Sequence, residues 1–352
     1  MFRDHPVLSM VVGSLYRLPV SVNISYFWNF GSLVGLFLGV QIVSGFMLAT
    51  RYSAYITQAF ASVNHIMRDV EGGWVLRFVH SNGASFFLGC MYIHVGRGLF
   101  YKRYFSVHVW NIGVVLLLLS MLTGFLGYVL PWGQMSFWGA TVITNLLSVL
   151  PWGSKIVAWL WGGYAVDKAT LSRFYALHFI MPFVIMALSL LHLFFLHDVG
   201  SGNPQGFSTL KVDFWPYFGI KDLLGYMVVL VLFFSLVFFF PFSLGDSENF
   251  HKATSFITPV HIKPEWYYLF AYAILRSIPN KAVGVLALVF SICVFFFFPW
   301  FRFRSGNRLL WWWCFNFILL TWLGGCPVKV IYTMVAQIAG VLYFFLLFLC
   351  CC

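Results

Sequence analysis

The chain has 352 residues, 61% of them hydrophobic and only 9% charged, with 42 Phe and 15 Trp. Soluble domains run nearer about 45–50% apolar and about 25% charged, so a soluble globule is excluded and an all-α polytopic membrane protein is expected. The formal net charge of +11 does not point to nucleic acid, because Lys and Arg are scattered along loops, and basic loops beside membrane spans are ordinary.

Residues 1–26 open with MFRDHPVLSMVVGSLYRLP, too short and too poorly patterned for a signal peptide; a helix lying on the membrane surface is expected there. A span needs roughly 20 apolar residues, which predicts about eight transmembrane helices: 27–50, 74–101, 109–130, 172–197, 222–242, 283–301, 309–325 and 330–350. The first four make a bundle over 27–200, interrupted by a non-spanning insertion, 131–171, which Pro131 and Pro151 punctuate and which carries interfacial pieces such as Ile156 to Trp161. The remaining helices fill 201–352, with a long polar connector at 243–282. An even number of spans would put both ends on one side. Basic residues divide nearly equally between the faces, with Lys102, Arg103, Arg302, Arg304 and Arg308 in short loops on the terminal side, so charge orients the chain only weakly. The seven cysteines form no CxxCH haem-attachment motif; Cys90, Cys293, Cys314 and Cys326 stand singly in apolar runs and Cys350 to Cys352 cluster at the end.

The chemistry is concentrated in two spans. His80 and His94 lie 14 residues apart in one, and His178 and His192 lie 14 apart in another. Fourteen residues are about four helical turns, roughly 21 Å, so each pair shares a helix face at two depths. A single histidine in a membrane helix is more often a helix-to-helix hydrogen bonder than a ligand. Matched pairs on two helices point instead to two flat metal cofactors clamped between them, one near each membrane face. Bis-imidazole ligation leaves no open site on a haem iron and suits electron transfer rather than oxygen chemistry. Glycines repeat the interval: Gly31 and Gly45 in the first span, Gly113 and Gly127 in the third. Small-residue packing, as in the Gly31, Gly35, Gly39 series, explains part of this; the shared pitch favours clearance for a macrocycle. Arg77 precedes His80 by three positions and Arg97 follows His94 by three, each one turn toward its own membrane surface, where a guanidinium fork can hold a haem propionate.

Longer stretches carry a family resemblance: WNFGSLVG (Trp28 to Gly35), HVGRG (His94 to Gly98), GYVLPWGQMSFWG (Gly127 to Gly139), WGGYAVDK (Trp161 to Lys168), PEWY (Pro264 to Tyr267) and LFAYAILRSIPNK (Leu269 to Lys281). The chain resembles the cytochrome b family, in its mitochondrial form, the core subunit of quinol–cytochrome c oxidoreductase (respiratory complex III). The resemblance is dense from Ser14 to Trp300 and weak beyond, where the tail after Arg304 departs from the family and carries no assigned residue. The 14-residue interval and the unsplit chain resemble the respiratory form rather than the photosynthetic relatives. The resemblance implies His80 with His178 on a low-potential haem b near the intermembrane face, and His94 with His192 on a high-potential haem b near the matrix face of the mitochondrial inner membrane.

It also implies two quinone sites. Pro264 and Glu265 read as the first positions of a helix, where a carboxylate favours the dipole. The resemblance favours a second role, acceptance of a ubiquinol proton by Glu265, in a pocket shaped by Tyr128, Gly139, Ile143, Pro264 and Tyr267. On the opposite face His197, Ser201, Lys221, Asp222, Asn29 and Ser32 are individually ordinary helix-end residues; together they resemble the site where quinone is reduced, with His197 and Asp222 supplying protons. The partners implied are a Rieske iron–sulfur protein, a c-type cytochrome subunit, the other complex III subunits and membrane lipid, in a dimeric complex. Two other readings stay open at this point: a two-haem transmembrane reductase without quinone bifurcation, which purification without a Rieske partner would favour, and a transporter whose histidines relay protons, which the absence of a b-type spectrum would favour.

Overall fold

The computed structural model describes His5, Leu8, Ser9 and residues 12–206, 210–300 and 308–351. Arg302 and Arg304, the rest of the 1–11 stretch, Cys352 and the side chains of Cys350 and Cys351 lie outside the described residues. In chain order the helices are α1 (Asn29–Ala49), α2 (Ala59–Arg68), α3 (Gly73–Phe100), α4 (Val107–Val129), α5 (Gln134–Asn145) and α6 (Gly153–Trp161). They continue with α7 (Lys168–Val199), α8 (Tyr217–Phe239), α9 (Leu269–Ser277), α10 (Lys281–Cys293), α11 (Arg308–Gly325) and α12 (Val330–Cys351). A 3-10 stretch to Trp300 prolongs α10.

Eight of these among the described residues (α1, α3, α4, α7, α8, α10, α11 and α12) coincide with the eight spans read from the sequence. Six are long and apolar enough to cross a membrane. The other two are α3, whose Arg77, His80, Asn82, His94 and Arg97 dilute its hydropathy, and the 18-residue α11. Helices suit this setting because every interior backbone group is paired within its own segment.

Helix α7 begins at Lys168, earlier than the apolar run at 172 suggests. Asp167 and Thr170 form a reciprocal capping box that starts the helix in a polar stretch. The N-terminal segment also departs from expectation. Its described residues are helical at Leu8, Ser9 and Val12–Tyr16, but helix does not continue to residue 26: a short strand β1 (Pro19–Ser21) follows, antiparallel to β2 (Lys211–Asp213). Pro19 cannot continue a helix, and Val20 and Ile24 instead bury against Phe218 at the foot of α8.

Helix α1 packs along α3, and α4 along α7, with α8 laid against α1 and α3. Consecutive spans alternate in direction. The start of α1, the end of α3, the start of α4, the end of α7 and the start of α8 therefore gather with β1 and β2 on one face, the strand face. The opposite ends gather with α2, α5 and α6 on the other, the insertion face. The connector 243–282 is not polar throughout. Its last part is α9, whose Phe270, Ala271, Ala273 and Ile274 are buried against α11 and α12. Outward positions of α7 and α8 such as Leu190, Phe194, Met227 and Val231 are exposed, as a lipid-facing surface requires.

Candidate functional site

The antiparallel run of α3 and α7 brings His80 beside His178 and His94 beside His192. Ring centroids are 6.2 Å apart in the first pair and 6.3 Å in the second, with interplanar angles of 89° and 62°. Metal–imidazole bonds of about 2 Å, with about 1 Å more from nitrogen to ring centre, place facing centroids about 6 Å apart across one metal ion. Both pairs match that separation.

At the insertion-face pair the tautomers follow from the neighbours. The Ser44 hydroxyl donates to the Val40 carbonyl at 2.6 Å, so its oxygen accepts from His80 Nδ1 at 2.9 Å. His178 Nδ1 lies 2.9 Å from the Thr123 carbonyl, which can only accept. Both rings therefore carry their proton on Nδ1 and hold Nε2 as a lone pair, the state a metal ligand needs. Gln41 Nε2 also donates to the His80 carbonyl at 2.9 Å, steadying the α1–α3 contact.

All four glycines face these rings. A Cβ on Gly45 would lie 2.8 Å from His80 Cε1, and one on Gly127 2.4 Å from His178 Cε1. On Gly31 and Gly113 the corresponding distances to His94 and His192 are 3.1 and 3.3 Å. Gly35 and Gly39 meet nothing within 4 Å. The protein contact that the 14-residue glycine pitch clears is thus the imidazole edge itself, where the sequence suggested the macrocycle.

Around the strand-face pair several buried polar atoms have no protein partner: His94 Nδ1, His192 Nδ1, Arg97 Nε, Trp28 Nε1 and Asn111 Oδ1. Arg97 lies 5.2 Å over the Trp28 ring. An unpaired buried donor or acceptor costs about 1–3 kcal/mol, so such a cluster fits a polar occupant. Arg97 and Trp28 present N–H donors suited to carboxylates such as haem propionates.

The insertion-face pair opens on a cavity of about 270 Å³ that also reaches Arg77, Tyr128, Glu265 and Tyr267. Glu265 is the residue before a 3-10 turn, Trp266–Tyr268, and its side chain makes no capping hydrogen bond. It occupies the helix-start position that the sequence indicates, but its carboxyl turns to the cavity instead of to the helix. Burial pushes that carboxyl up to about 7; Asp246 adds to the rise, while Arg77 and Lys263 oppose it. Asp246 in turn pairs with Lys263 at 3.6 Å. Burial, reinforced by Tyr268 and Glu265, holds the Tyr267 phenol well above its ordinary value, so it stays a hydrogen-bond donor at neutral pH.

Three bonds anchor this turn to the bundle. Trp266 Nε1 donates to Ser85 Oγ at 3.0 Å, Tyr92 OH to the Tyr267 carbonyl at 2.5 Å, and Tyr268 OH to the Met121 carbonyl at 2.6 Å. Gly139 and Ile143 sit on α5 at the same face, with Ile143 exposed, and neither they nor Pro264 line the cavity.

On the strand face Asn29 Nδ2 donates to the Lys221 carbonyl at 2.8 Å, and Lys221 Nζ to the Ile24 carbonyl at 2.7 Å while lying over the Tyr26 and Phe218 rings. Ser32 donates to the Asn29 carbonyl at 2.9 Å and lies within hydrogen-bonding reach of Asp222 and Tyr226. The structure therefore joins Asn29, Ser32, Lys221 and Asp222. His197 and Ser201 stand at the same face, where Arg103 ties the end of α7 through the Gly200 carbonyl. Among the described residues no hydrogen bond joins either of them to Asp222.

Sequence reasoning missed Ser44, Gln41, Asp246 and Tyr226. Tyr226 was within reach, since it follows Asp222 by four positions on one helix face. The others act through partners far away in the chain.

Two family models match: that described as cytochrome b/b6/petB over residues 15–200, and that described as cytochrome b (C-terminal)/b6/petD over residues 252–344. Among solved structures the chain is similar to one titled "Hyperthermophilic respiratory Complex III". The two share 30% identity, with a TM-score of 0.92 over 99% of this chain and 96% of that one.

Proposed function

The chain belongs to the cytochrome b family, and from that premise we propose that it is the quinol-oxidising subunit of a respiratory complex III, holding two b haems. The observation that carries this reading is the shared cavity: one space joins Glu265, Tyr128 and Tyr267 to the ring edges of His80 and His178. A quinol bound there lies beside both a proton acceptor and a candidate metal site.

His80 with His178 and His94 with His192 would hold the haems, with Arg77 and Arg97 toward the propionates. When bound, the haems supply one-electron carriage across a core of about 30 Å, against a membrane potential worth about 2.3 kcal/mol per 100 mV.

Oxidation of a quinol to a quinone releases two protons and two electrons. Glu265, deprotonated above pH 7, accepts a hydroxyl proton. Tyr128 and Tyr267 present phenol donors to the ring oxygens, and the apolar wall of Phe78, Phe87 and Ile185 keeps bulk water from the reacting group. One electron leaves through a Rieske iron–sulfur protein toward a c-type cytochrome subunit; the other crosses the bundle. At the strand face Asp222 and His197 supply protons to a quinone, with Asn29, Ser32, Lys221 and Ser201 around it, which completes a Q cycle. Ubiquinone as the quinone, dimeric assembly with the other complex III subunits, and residence in the mitochondrial inner membrane with the insertion face outward form the rest of the proposal. They rest on the likeness of the unsplit chain and its 14-residue histidine interval to the mitochondrial family members.

The test is a redox-titrated absorption spectrum of the purified native complex, with haem counted per chain and quinol added in the presence and absence of a Rieske partner. Two b components per chain, reducible by quinol, are expected. One component, or none, would overturn the two-haem assignment; full turnover without a Rieske partner would favour the simpler transmembrane reductase.

A further inference from the structure

The two histidine pairs are built on a common plan, repeated at a 14-residue pitch, and the repeat breaks at the acceptors of Nδ1, one of which is a side chain. On α4 and α7 the Thr123 carbonyl lies four residues before Gly127 and meets His178 Nδ1 at 2.9 Å. Val109, four residues before Gly113, faces His192 in the same way but short of a hydrogen bond. On α1 and α3 the glycines are also equivalent, with a Cβ on Gly45 lying 3.5 Å from His80 Nδ1 and one on Gly31 lying 3.4 Å from His94 Nδ1. The residue before Gly45 is Ser44, whose hydroxyl accepts from His80 Nδ1 at 2.9 Å. The residue before Gly31 is Phe30, which has no acceptor to offer, and His94 Nδ1 is buried without a partner.

We propose that the Ser44 hydroxyl is a positioning and tuning group that lowers the potential of a haem held by His80 and His178. The proposal rests on the haem reading above. An acceptor on Nδ1–H fixes the tautomer and makes the opposite nitrogen a stronger donor, which stabilises ferric over ferrous iron. Each site has one arginine a helical turn outward of its α3 histidine, Arg77 for His80 and Arg97 for His94. Glu265 near Arg77 and Arg103 near Arg97 add charge differences that act in the same sense as the acceptor, so the Ser44 contribution is isolated by substitution. The side chain that differs between the sites is Ser44 against Phe30, and the sense of its hydrogen bond would favour transfer away from the insertion face.

The experiment is a potentiometric titration of both b components in the assembled complex, with electron paramagnetic resonance of the ferric signals. In Ser44→Ala the ferrous-to-ferric ratio of the insertion-face haem at a fixed poise should rise about three- to tenfold, as loss of one hydrogen bond implies. Tenfold corresponds to 59 mV for one electron. The strand-face component should stay in place. Ser44→Thr keeps a hydroxyl able to bond back to Val40 and should titrate as the unaltered protein does.

Phe30→Ser is the reciprocal change, placing a hydroxyl where the repeat lacks one. It should lower the ferrous-to-ferric ratio of the strand-face haem by a comparable factor, and it decides the matter if Ser44→Ala fails to assemble. Both haems present with neither ratio moved in Ser44→Ala and Phe30→Ser would overturn the proposal while leaving the haem reading intact. No b-type spectrum in the unaltered complex would overturn both.

Discussion

A glycine-to-alanine series along α1 and α4 tests whether imidazole clearance governs these positions. In an ordinary membrane helix, Gly→Ala adds helix propensity, a gain of about 0.8–1.0 kcal/mol. Gly39, with nothing within 4 Å of an added Cβ, should follow that rule and leave haem content unchanged. At Gly127 the same methyl would lie 2.4 Å from His178 Cε1, and at Gly45 2.8 Å from His80 Cε1. Ordinary carbon contacts are about 3.5–4.0 Å, so His178 must retreat by about 1 Å. Metal–ligand distances hold within about 0.2 Å, so the ring cannot retreat that far and stay bonded. Overpacking costs about 1–3 kcal/mol besides, which outweighs the propensity gain.

Gly31 and Gly113, at 3.1 and 3.3 Å, need shifts of only a few tenths of an ångström. The expected order of damage is Gly127, then Gly45, then Gly31 and Gly113, with Gly39 unaffected. The assay is the reduced-minus-oxidised spectrum per assembled chain, in which the insertion-face component should be lost first. Equal haem loss at Gly39 and Gly127, or an unaltered insertion-face component in Gly127→Ala, would refute the argument and return these glycines to ordinary helix packing.

Three further outcomes follow from the same geometry. Replacing His94 or His192 by Leu should remove the strand-face b component while the other persists; retention of both in the spectrum would break the ligand assignment. A carboxyl raised to about 7 is protonated below that pH and cannot accept a proton, so quinol-driven haem reduction should rise through pH 7. Glu265→Gln should abolish that inflection and slow the reduction, by up to about 10²–10⁴-fold if nothing substitutes for the base, as stopped-flow kinetics would show. Asp222→Asn should slow haem reoxidation by quinone at the strand face and leave quinol-driven reduction intact, and loss of the latter would mean that the faces are assigned the wrong way round.

The spans were legible because lipid imposes a local rule: an apolar run of span length must be a helix whatever surrounds it. The histidine pairs were legible for a related reason, since equal intervals on two helices survive any arrangement that sets those helices side by side. What escaped depends on neighbours distant in the chain. Leu269–Ser277 reads as a short amphipathic stretch, and its burial is decided by α11 and α12. Ser44 reads as one more helical serine bonding back to the carbonyl four residues earlier, which it does at 2.6 Å. Its second contact exists only once α3 is laid against α1. The strand at Pro19–Ser21 is not legible locally because its partner, Lys211–Asp213, lies on the far side of four spans.

Glu265 shows how a residue can satisfy the local reading and still be placed for something else. Its backbone sits where a helix-starting carboxylate belongs, with φ −58° and ψ 151°, so the sequence signal was sound. Had the side chain capped the turn, it would satisfy an orphan N–H and contribute about 0.5–2 kcal/mol. No such bond forms. The turn is held instead by Trp266, Tyr92 and Tyr268 through bonds to Ser85, the Tyr267 carbonyl and the Met121 carbonyl, none of which involves the carboxylate. Fixing the backbone independently of Glu265 leaves its side chain buried at a cost that raises its proton affinity toward neutrality. A carboxyl held near pH 7 is poorly suited to stabilising a helix end, which needs the charged form, and well suited to taking a proton and passing it on. The same independence makes Glu265→Gln a clean probe, because the isosteric amide removes the charge while every anchor of the turn remains.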